Sequence, residues 1–437
     1  MELNIKKHLV IAAHDGVFSY YTGVGTIVQN TIKVLLGENK FPSIKISIAG
    51  IGLNPDKSAF DRTAYEDSKA LVNKYGGHLI SLANDTPGVT ENDTWKDPIN
   101  WQVACNSLVS VLNTILDETT ENYIMLHDTV FLYFEVAKRQ LRPELEQTLR
   151  SYYLPHSSGK CHYYTEESWN RKRIEYENQC FSLIMKNPSS RLIATGHNFS
   201  RHLVENYGVS FTEHDYLVNG LLFDNYIVPA NLRCTFEDIQ RIVPKLSRES
   251  KIIFSWGRLS QAKGFYELLL AWDAIANDFP EYSLIIQAPT SCLDESSYFE
   301  KFSKKAASVQ RVYHIDNFSS EIWQKFLRYD KTCVVCLAST MDPNPHTPIE
   351  AKLFGKNMNY AILASFKDGI KDSFSMNECV SLDDPCDIED FSNKLITAIN
   401  LDPKRKREMS QKNFESAFSF SYKKNLLVFL QKEGIIL

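Results

Sequence analysis

The run Ser255-Trp256-Gly257-Arg258-Leu259-Ser260-Gln261-Ala262-Lys263-Gly264 lies between two different hydrophobic rhythms. Before it, Lys251–Trp256 is a largely apolar stretch of strand length. After it, residues 265–277 repeat apolar side chains at helical spacing. The run is therefore a strand-to-helix turn, and it carries two cations, Arg258 and Lys263. Ligands of open parallel sheets bind outside the carboxyl ends of the strands. Two cations beside the first amides of a helix suit a diphosphate there. An exposed basic loop would have the same composition, so this pair needs company.

Company comes further along, in Ala338-Ser339-Thr340-Met341-Asp342-Pro343-Asn344-Pro345-His346-Thr347-Pro348-Ile349-Glu350-Ala351. This segment also follows an apolar strand, 333–337, and opens a helix in which Pro348 suits the first turn. Asp342 and Glu350 bracket a stiff Pro-Asn-Pro loop. Either acid alone reads as a helix cap favoured by the dipole. That reading explains less well the pair, with a rigid Pro-Asn-Pro loop between them.

Outward from these two turns, strands and helices alternate through both halves of the chain. The first half offers strands at 9–13, 44–49, 78–82, 123–126 and 191–194, with helical patterns at 25–36, 67–75 and 101–116. Residues 223–250 break the pattern and read as a connection between domains. Strands at 251–256, 283–287, 310–314, 333–337 and 359–363 then alternate with helices. Such alternation implies parallel sheets covered on both faces. Residues 414–433 form a final helical pattern rich in aromatics.

Together the two turns resemble the C-terminal domain of the GT-B retaining glycosyltransferases, specifically glycosyltransferase family 4 (glycosyl transferases group 1). That family has Gly-Arg-Leu and Lys-Gly after a strand, then a Glu-x7-Glu motif about ninety residues on. Arg258 and Lys263 stand at its phosphate-binding pair. Glu350 stands at the Glu that bonds the ribose, and Asp342 at the acid that contacts the transferred sugar. Asn344, His346 and Thr347 match the loop whose amides bond sugar hydroxyls. Asp in place of Glu shortens the reach by one methylene, and Pro343 and Pro345 remove two amide donors.

The N-terminal half resembles the family too. Gly23 and Gly25, in Tyr21-Thr22-Gly23-Val24-Gly25-Thr26, match its glycine loop, where backbone can approach a diphosphate or acceptor. His127, in His127-Asp128 after a strand, matches the histidine near the transferred sugar, and Val218-Asn219-Gly220-Leu221 matches the turn closing the first domain. The resemblance implies an α/β GT-B fold with two Rossmann-like domains facing across a cleft. It puts the acceptor-side domain at 1–222, the donor-side domain at 223–413 and a C-terminal helix crossing back to the N-domain at 414–437. The implied reaction moves a hexose, glucose as first choice, from a UDP-sugar to an acceptor with retention of configuration. His127, Arg258, Lys263 and Asp342 would be catalytic; Gly23, Gly25, Tyr313, His314, Asn344, His346, Thr347 and Glu350 would hold the donor. The base is expected near Tyr313-His314. No metal or other cofactor is expected, because preorganised cations can take its place. GDP stays open as the nucleotide.

The bulk properties fit. The 437 residues exceed one ordinary core of roughly 250–300. A composition of 43% hydrophobic and 23% charged is globular, and a net charge of −5 speaks against nucleic acid as partner. The run 9–13 is too short for a signal peptide, and nothing approaches the ~20 apolar residues of a membrane span, so a cytoplasmic location is expected. Nine cysteines cannot all pair, and Cys333 and Cys336, at i and i+3 of a strand, are expected on opposite faces as core residues. Residues 138–173 interleave Lys138, Arg139, Arg142, Arg150, Lys160, Arg171, Lys172 and Arg173 with aromatics. That reads as a solvated face, or as a patch for the acceptor or for peripheral contact with the inner face of a membrane. The acceptor is expected to be a saccharide or a lipid-linked saccharide, as in polysaccharide assembly. Three rivals stand. A non-catalytic nucleotide-sugar binder would explain Pro343 and Pro345. A phosphorylase-like enzyme would need pyridoxal phosphate on a lysine, or inorganic phosphate as co-substrate. A dehydrogenase would need a third glycine that Gly23-Val24-Gly25 does not supply.

Overall fold

The structure is a computed structural model and describes residues 6–436 except 20–21, 40, 57–59, 83–97, 162–166, 227–232, 291–295, 318, 344 and 376. The chain divides into two compact units, Met1–Leu222 with Tyr422–Leu437, and Phe223–Ser421.

Unit 1 is built on six parallel strands: β1 (Lys7–Ala13), β2 (Ile44–Ile51), β3 (Leu79–Leu82), β4 (Glu121–His127), β5 (Arg150–Leu154) and β6 (Ser190–Leu192). Their spatial order is β3-β2-β1-β4-β5-β6. Residues 9–13 of β1 are fully buried, which is why this strand is apolar without alternation. In register, Ala13 lies beside His127 and His127 beside Leu154, so the carboxyl ends of β1, β4 and β5 are level. The helix Gly23–Gly37 starts at Thr22, whose hydroxyl accepts from the amides of Val24 and Gly25.

Unit 2 repeats the plan with β7 (Lys251–Trp256), β8 (Tyr282–Gln287), β9 (Val312–Ile315), β10 (Thr332–Leu337), β11 (Ala361–Ser365) and β12 (Val380–Leu382), in the order β12-β11-β10-β7-β8-β9. Side chains alternate between two separate cores. Ile253, Val334, Cys336, Ala361 and Leu363 face one, with the helices Phe265–Ile275 and Ile388–Asn400. Ile252, Phe254, Trp256, Val335, Leu337 and Ile362 face the other. Each large apolar side chain so buried contributes about 1.5–3 kcal/mol. In both sheets the chain turns in opposite directions from a central strand pair, β1/β4 in one and β7/β10 in the other, and these pairs are the topological switch points.

Four expectations change. The segment 138–173 is not a surface patch: it contains the buried strand β5, with Tyr152 and Tyr153 inside, and Lys138 and Arg173 are buried in ion pairs with Glu135 and Glu177. Arg139, Arg142, Arg150, Arg171 and Lys172 are exposed around it. The connection expected over 223–250 contains the helix Phe236–Ile242, closed by a capping box between Thr235 and Asp238. The last helical pattern is two helices, Pro403–Ala417 and Tyr422–Lys432, joined by the 3-10 turn Phe418–Phe420. Only the second belongs to unit 1, where Tyr422 Oη meets Thr31 Oγ1 at 2.8 Å and Phe429 packs edge-on against Tyr152. Residues 414–421 therefore stay with unit 2. Lastly, the β10 pairing is irregular between Thr332 and Val334, and Cys333 packs against the same core as Cys336, not the opposite one. Among the described residues all eight cysteines are free thiols, and no helix is long and apolar enough to cross a membrane.

Candidate active site

In unit 2 the turn after β7 and the loop after β10 are locked together at the switch point. Gly264 adopts φ +64°, and a Cβ there would lie 2.0 Å from the carbonyl oxygen of Ala338, so only glycine fits. The amides of Thr340 and Met341 donate to Ala262 O at 2.9 and 3.3 Å. Gly369 supports the loop from behind, donating to Asp342 O at 3.0 Å. A side chain at 369 would strike Pro343 O at 2.2 Å.

This docking brings Lys263 and Asp342 into a direct ion pair, with 17% and 14% of their side chains exposed. The cation expected to hold phosphate and the acid expected to hold sugar are thus each other's partner. Arg258 lies half-buried on the same turn. Ser260, to which the sequence assigns no role, has its hydroxyl buried with no hydrogen-bond partner among the described residues.

His346 precedes the helix Thr347–Leu353, in which Pro348 occupies the first turn as the sequence suggests. Burial lowers the imidazole to about 4 and Lys263 adds to that, while Asp342 opposes it; the ring is neutral at ordinary pH. Its Nε2 is buried without a partner among the described residues. Glu350, one turn on, accepts from Trp256 Nε1 at 3.0 Å and from Tyr226 Oη at 3.4 Å. Burial pushes its carboxyl up to about 7 against the pull of Trp256, Tyr226 and Lys263. Trp256 and Tyr226 are site residues that sequence reasoning missed. Only Trp256, inside the decisive turn, carried any signal. Asn344 lies outside the described residues, and Thr347 is half-buried at the helix start.

Tyr313 and His314 are not brought to this cluster. They sit on the edge strand β9, separated from β7 by β8. Their side chains bond within the unit, Tyr313 Oη to Lys245 O at 3.3 Å and His314 Nε2 to Ala288 O at 2.7 Å.

In unit 1 the level strand ends gather polar groups. His127 is fully buried, stacked on His156, with Nδ1 3.2 Å from His156 Nε2. Burial and the neighbouring His156 hold its pKa well below the usual range. Its Nε2 has no partner among the described residues. Asp128 stands next to it with φ 73° and ψ 168°, and its Oδ2 is 3.5 Å from His14 Nδ1. Arg173, buried nearby, is committed to Glu177 Oε1 at 2.8 Å, Ser157 Oγ at 3.0 Å and Thr129 Oγ1 at 3.2 Å.

The glycine loop is organised from inside. Asp15 accepts from Gly16 N at 2.9 Å, Thr22 N at 2.7 Å and Thr22 Oγ1 at 2.8 Å. A Cβ on Gly25 would come within 2.7 Å of the Asp15 carboxylate, so packing alone requires glycine there. The Gly25 amide is capped by Thr22; Gly23 is exposed, with open space where its Cβ would be. No cluster of three or more His, Cys, Asp or Glu able to hold a metal exists among the described residues.

Residues 236–415 match the family model of the glycosyl transferases group 1. No curated protein matches the chain by sequence. Among solved structures, the N-terminal domain of Candida albicans trehalose-6-phosphate phosphatase aligns over 98% of this chain and 96% of its own, at 13% identity and a TM-score of 0.71. Sucrose-phosphate synthase from Thermosynechococcus elongatus aligns over 98% of both, at 14% identity and TM-score 0.69. A structure described as trehalose-6-phosphate from E. coli bound with UDP-2-fluoro glucose aligns over 98% and 99%, at 12% identity and TM-score 0.67. At these identities the likeness establishes the fold, which is GT-B: two parallel six-stranded sheets, each wrapped by helices.

Proposed function

From the premise that residues 236–415 match the glycosyl transferases group 1 within a GT-B fold, we propose that this chain is a retaining, metal-independent hexosyltransferase using a UDP-sugar, with UDP-glucose as first choice. The observation that carries the reading is the convergence of Arg258, Lys263, Asp342, His346 and Glu350 on the switch point of β7 and β10. The E. coli structure, bound with UDP-2-fluoro glucose, supports the choice of nucleotide and sugar. The acceptor in this reading is a saccharide or a lipid-linked saccharide.

The chemistry asks for charge stabilisation at the leaving diphosphate. Departure of UDP builds negative charge on its phosphate oxygens, and Arg258 and Lys263 are cations held where that charge appears. Ser260 Oγ, buried and unpartnered, adds a hydroxyl donor beside them. Lys263 arrives paired with Asp342, so the diphosphate takes over the lysine as the sugar's hydroxyls take over the aspartate. Glu350 accepts the ribose hydroxyls in exchange for Trp256 and Tyr226. The neutral His346 offers its buried Nε2 to the sugar. The leaving phosphate takes the acceptor's proton as the acceptor attacks from the same face, which retains configuration.

The Lys263–Asp342 pair also favours a second reading, a nucleotide-sugar binder without turnover, since the pair neutralises the group that should drive departure. Calorimetric titration with UDP, GDP, ADP and NAD, with and without EDTA, followed by a donor-hydrolysis assay, separates the two. Selective UDP binding that survives EDTA, with release of free hexose from UDP-glucose, is the expected result. UDP binding without any release would favour the binder, and binding of NAD alone would end both readings.

A further inference from the structure

We infer that unit 1 carries a second ligand site, at the end of its sheet opposite the switch point, and that this site holds a neutral oligosaccharide. The inference rests on the glycosyl-transfer reading for the site's use and on the cavity itself for its chemistry. The cavity has a volume of about 730 Å³, within the roughly 300–1,000 Å³ of small-molecule sites. Its walls are the segments leading into β4, β5 and β6, together with Glu433. In register Arg150 lies beside Tyr123 and Ser151 beside Ser190, so these are the amino ends of the strands. The seven residues Glu121–His127 of β4 run from this cavity to the switch point, about 20 Å at the usual strand rise.

The groups on its walls divide into those already committed and those left open. Every nitrogen of Arg191 is in use: Nη1 on the two Glu433 oxygens at 2.6 and 2.7 Å, Nε on Asp215 Oδ1 at 3.0 Å, and Nη2 on Asp215 Oδ1 at 2.6 Å and His214 O at 2.9 Å. Glu433 also accepts from Tyr152 Oη at 2.9 Å. Burial and the adjoining Glu121 push the Tyr123 phenol up to about 12, and it donates to Glu121 Oε2. Arg150 is exposed, with its guanidinium 5.6 Å from the Tyr123 ring centroid, and makes no ion pair or hydrogen bond among the described residues. Glu118 and Gln147 line the cavity in the same state, exposed and unpaired among the described residues. Ser151 lines it too, and its hydroxyl is buried without a partner among the described residues, a condition that buried polar groups seldom keep.

Charge decides the class. A phosphate drawn in by Arg150 would meet the carboxylates of Glu118 and Glu121 in the same cavity. Arg191 could turn to it only by stranding Glu433 and Asp215. A cationic ligand would meet Arg150. A neutral ligand rich in hydroxyls meets neither obstacle: Arg150 and Gln147 give it protons, and Glu118, Glu121 and Gln147 take them. Guanidinium, carboxylate and amide groups each present two polar atoms in one plane, which suits neighbouring hydroxyls of a sugar ring. A single ring in the cavity does not reach the switch point, whereas an oligosaccharide long enough to occupy both ends of unit 1 binds the second with the advantage of being tethered by the first. The site thus holds a chain that is being lengthened, and takes no part in bond-making.

The test titrates the full chain with linear hexasaccharides of glucose, mannose and galactose, by calorimetry or saturation-transfer NMR, with inorganic phosphate as competitor and UDP affinity as control. At least one hexasaccharide should bind, and phosphate should not displace it. The double variant Arg150→Ala with Gln147→Ala, at two exposed positions, should weaken it about tenfold or more while leaving UDP affinity unchanged. Arg150→Lys, which keeps the charge and loses the planar fork, should not restore binding. No hexasaccharide bound, binding that the double variant leaves unmoved, or displacement by phosphate would each overturn the inference. A hexasaccharide bound through Arg150 by a protein that fails to bind UDP would leave the inference standing and count against the glycosyl-transfer reading.

Discussion

Glu350→Gln is the substitution in which the structure commits itself most fully. The carboxyl is pushed from an ordinary 4.5 up to about 7, chiefly by burial. If ribose hydroxyls donate to it, UDP binds the ionised form. About 90% of that form is present at pH 8 and about 10% at pH 6, so affinity should fall about tenfold across that range, or about 1.4 kcal/mol. The terminal phosphate of UDP titrates near 6 as well. Glu350→Gln retains that contribution and loses the other, so the difference between the two slopes belongs to the residue.

Stability should move the opposite way. A folded pKa above the unfolded one means that the native state holds the proton more tightly. Stability therefore falls as pH rises from about 4.5 to about 7, and the full penalty persists above it. The gap corresponds to at most about 3 kcal/mol, less whatever solvent reaches this half-buried side chain. Glu350→Gln should accordingly melt higher than the wild type at pH 8, with the advantage gone near pH 4.5. Calorimetric UDP titration at pH 6 and 8, with scanning calorimetry at pH 5 and 8, reads both. Identical pH slopes in the two proteins, or a lower melting temperature for the variant at pH 8, would refute the reasoning.

Asp342→Asn should release Lys263 and tighten UDP binding several-fold while lowering sugar transfer at least tenfold; Lys263→Ala should cut turnover by ~10²-fold with the fold intact, as steady-state kinetics and circular dichroism would report. Gly264→Ala places a Cβ 2.0 Å from Ala338 O in a left-handed backbone, so it should cost at least about 1–2 kcal/mol in a melting experiment and displace the Asp342 loop. Arg173→Met strands Glu177 in the interior and should destabilise by about 3–5 kcal/mol in urea denaturation, without altering UDP affinity in whatever folded protein remains.

The parts of the fold legible in the sequence are those in which burial on both faces leaves a continuous apolar run, as in β1, β7 and β10. β5 escaped because its core positions are tyrosines, whose hydroxyls are satisfied far off in sequence: Tyr153 by Glu135 at 2.7 Å and Tyr152 by Glu433 at 2.9 Å. Lys138 and Arg173 read as surface charges for a different reason. The carboxylates that permit their burial, Glu135 and Glu177, sit three and four residues away, a spacing equally common on exposed helices. At the site, the two turns carry recognisable residue types, so Arg258, Lys263, Asp342 and Glu350 could be singled out. Their mutual arrangement could not. Lys263 and Asp342 are 79 residues apart in the chain, and Trp256 looks like any core residue of a strand until its indole is found on Glu350. The buried His127 Nε2 and Asp128 Oδ1, without a hydrogen-bond partner among the described residues, are likewise facts of packing, which no spacing announces.

The helix Tyr422–Lys432 completes the first unit from the far side of the second in chain order, and this bears on how the protein is made. Tyr422, Leu426, Phe429 and Leu430 belong to the same core as β1 and β2. The Glu433 carboxylate, just beyond the helix, holds Arg191 at 2.6 Å. A ribosome delivers residues 1–222 first, yet their core stays open until residue 430 has emerged. By then residues 223–421 can already have folded. Residues 1–222 thus wait as an exposed, parallel-stranded intermediate with slow, long-range contacts while residues 223–421 are made. Truncation after residue 421 should therefore harm the unit that starts earlier in the chain, and leave the later one able to form.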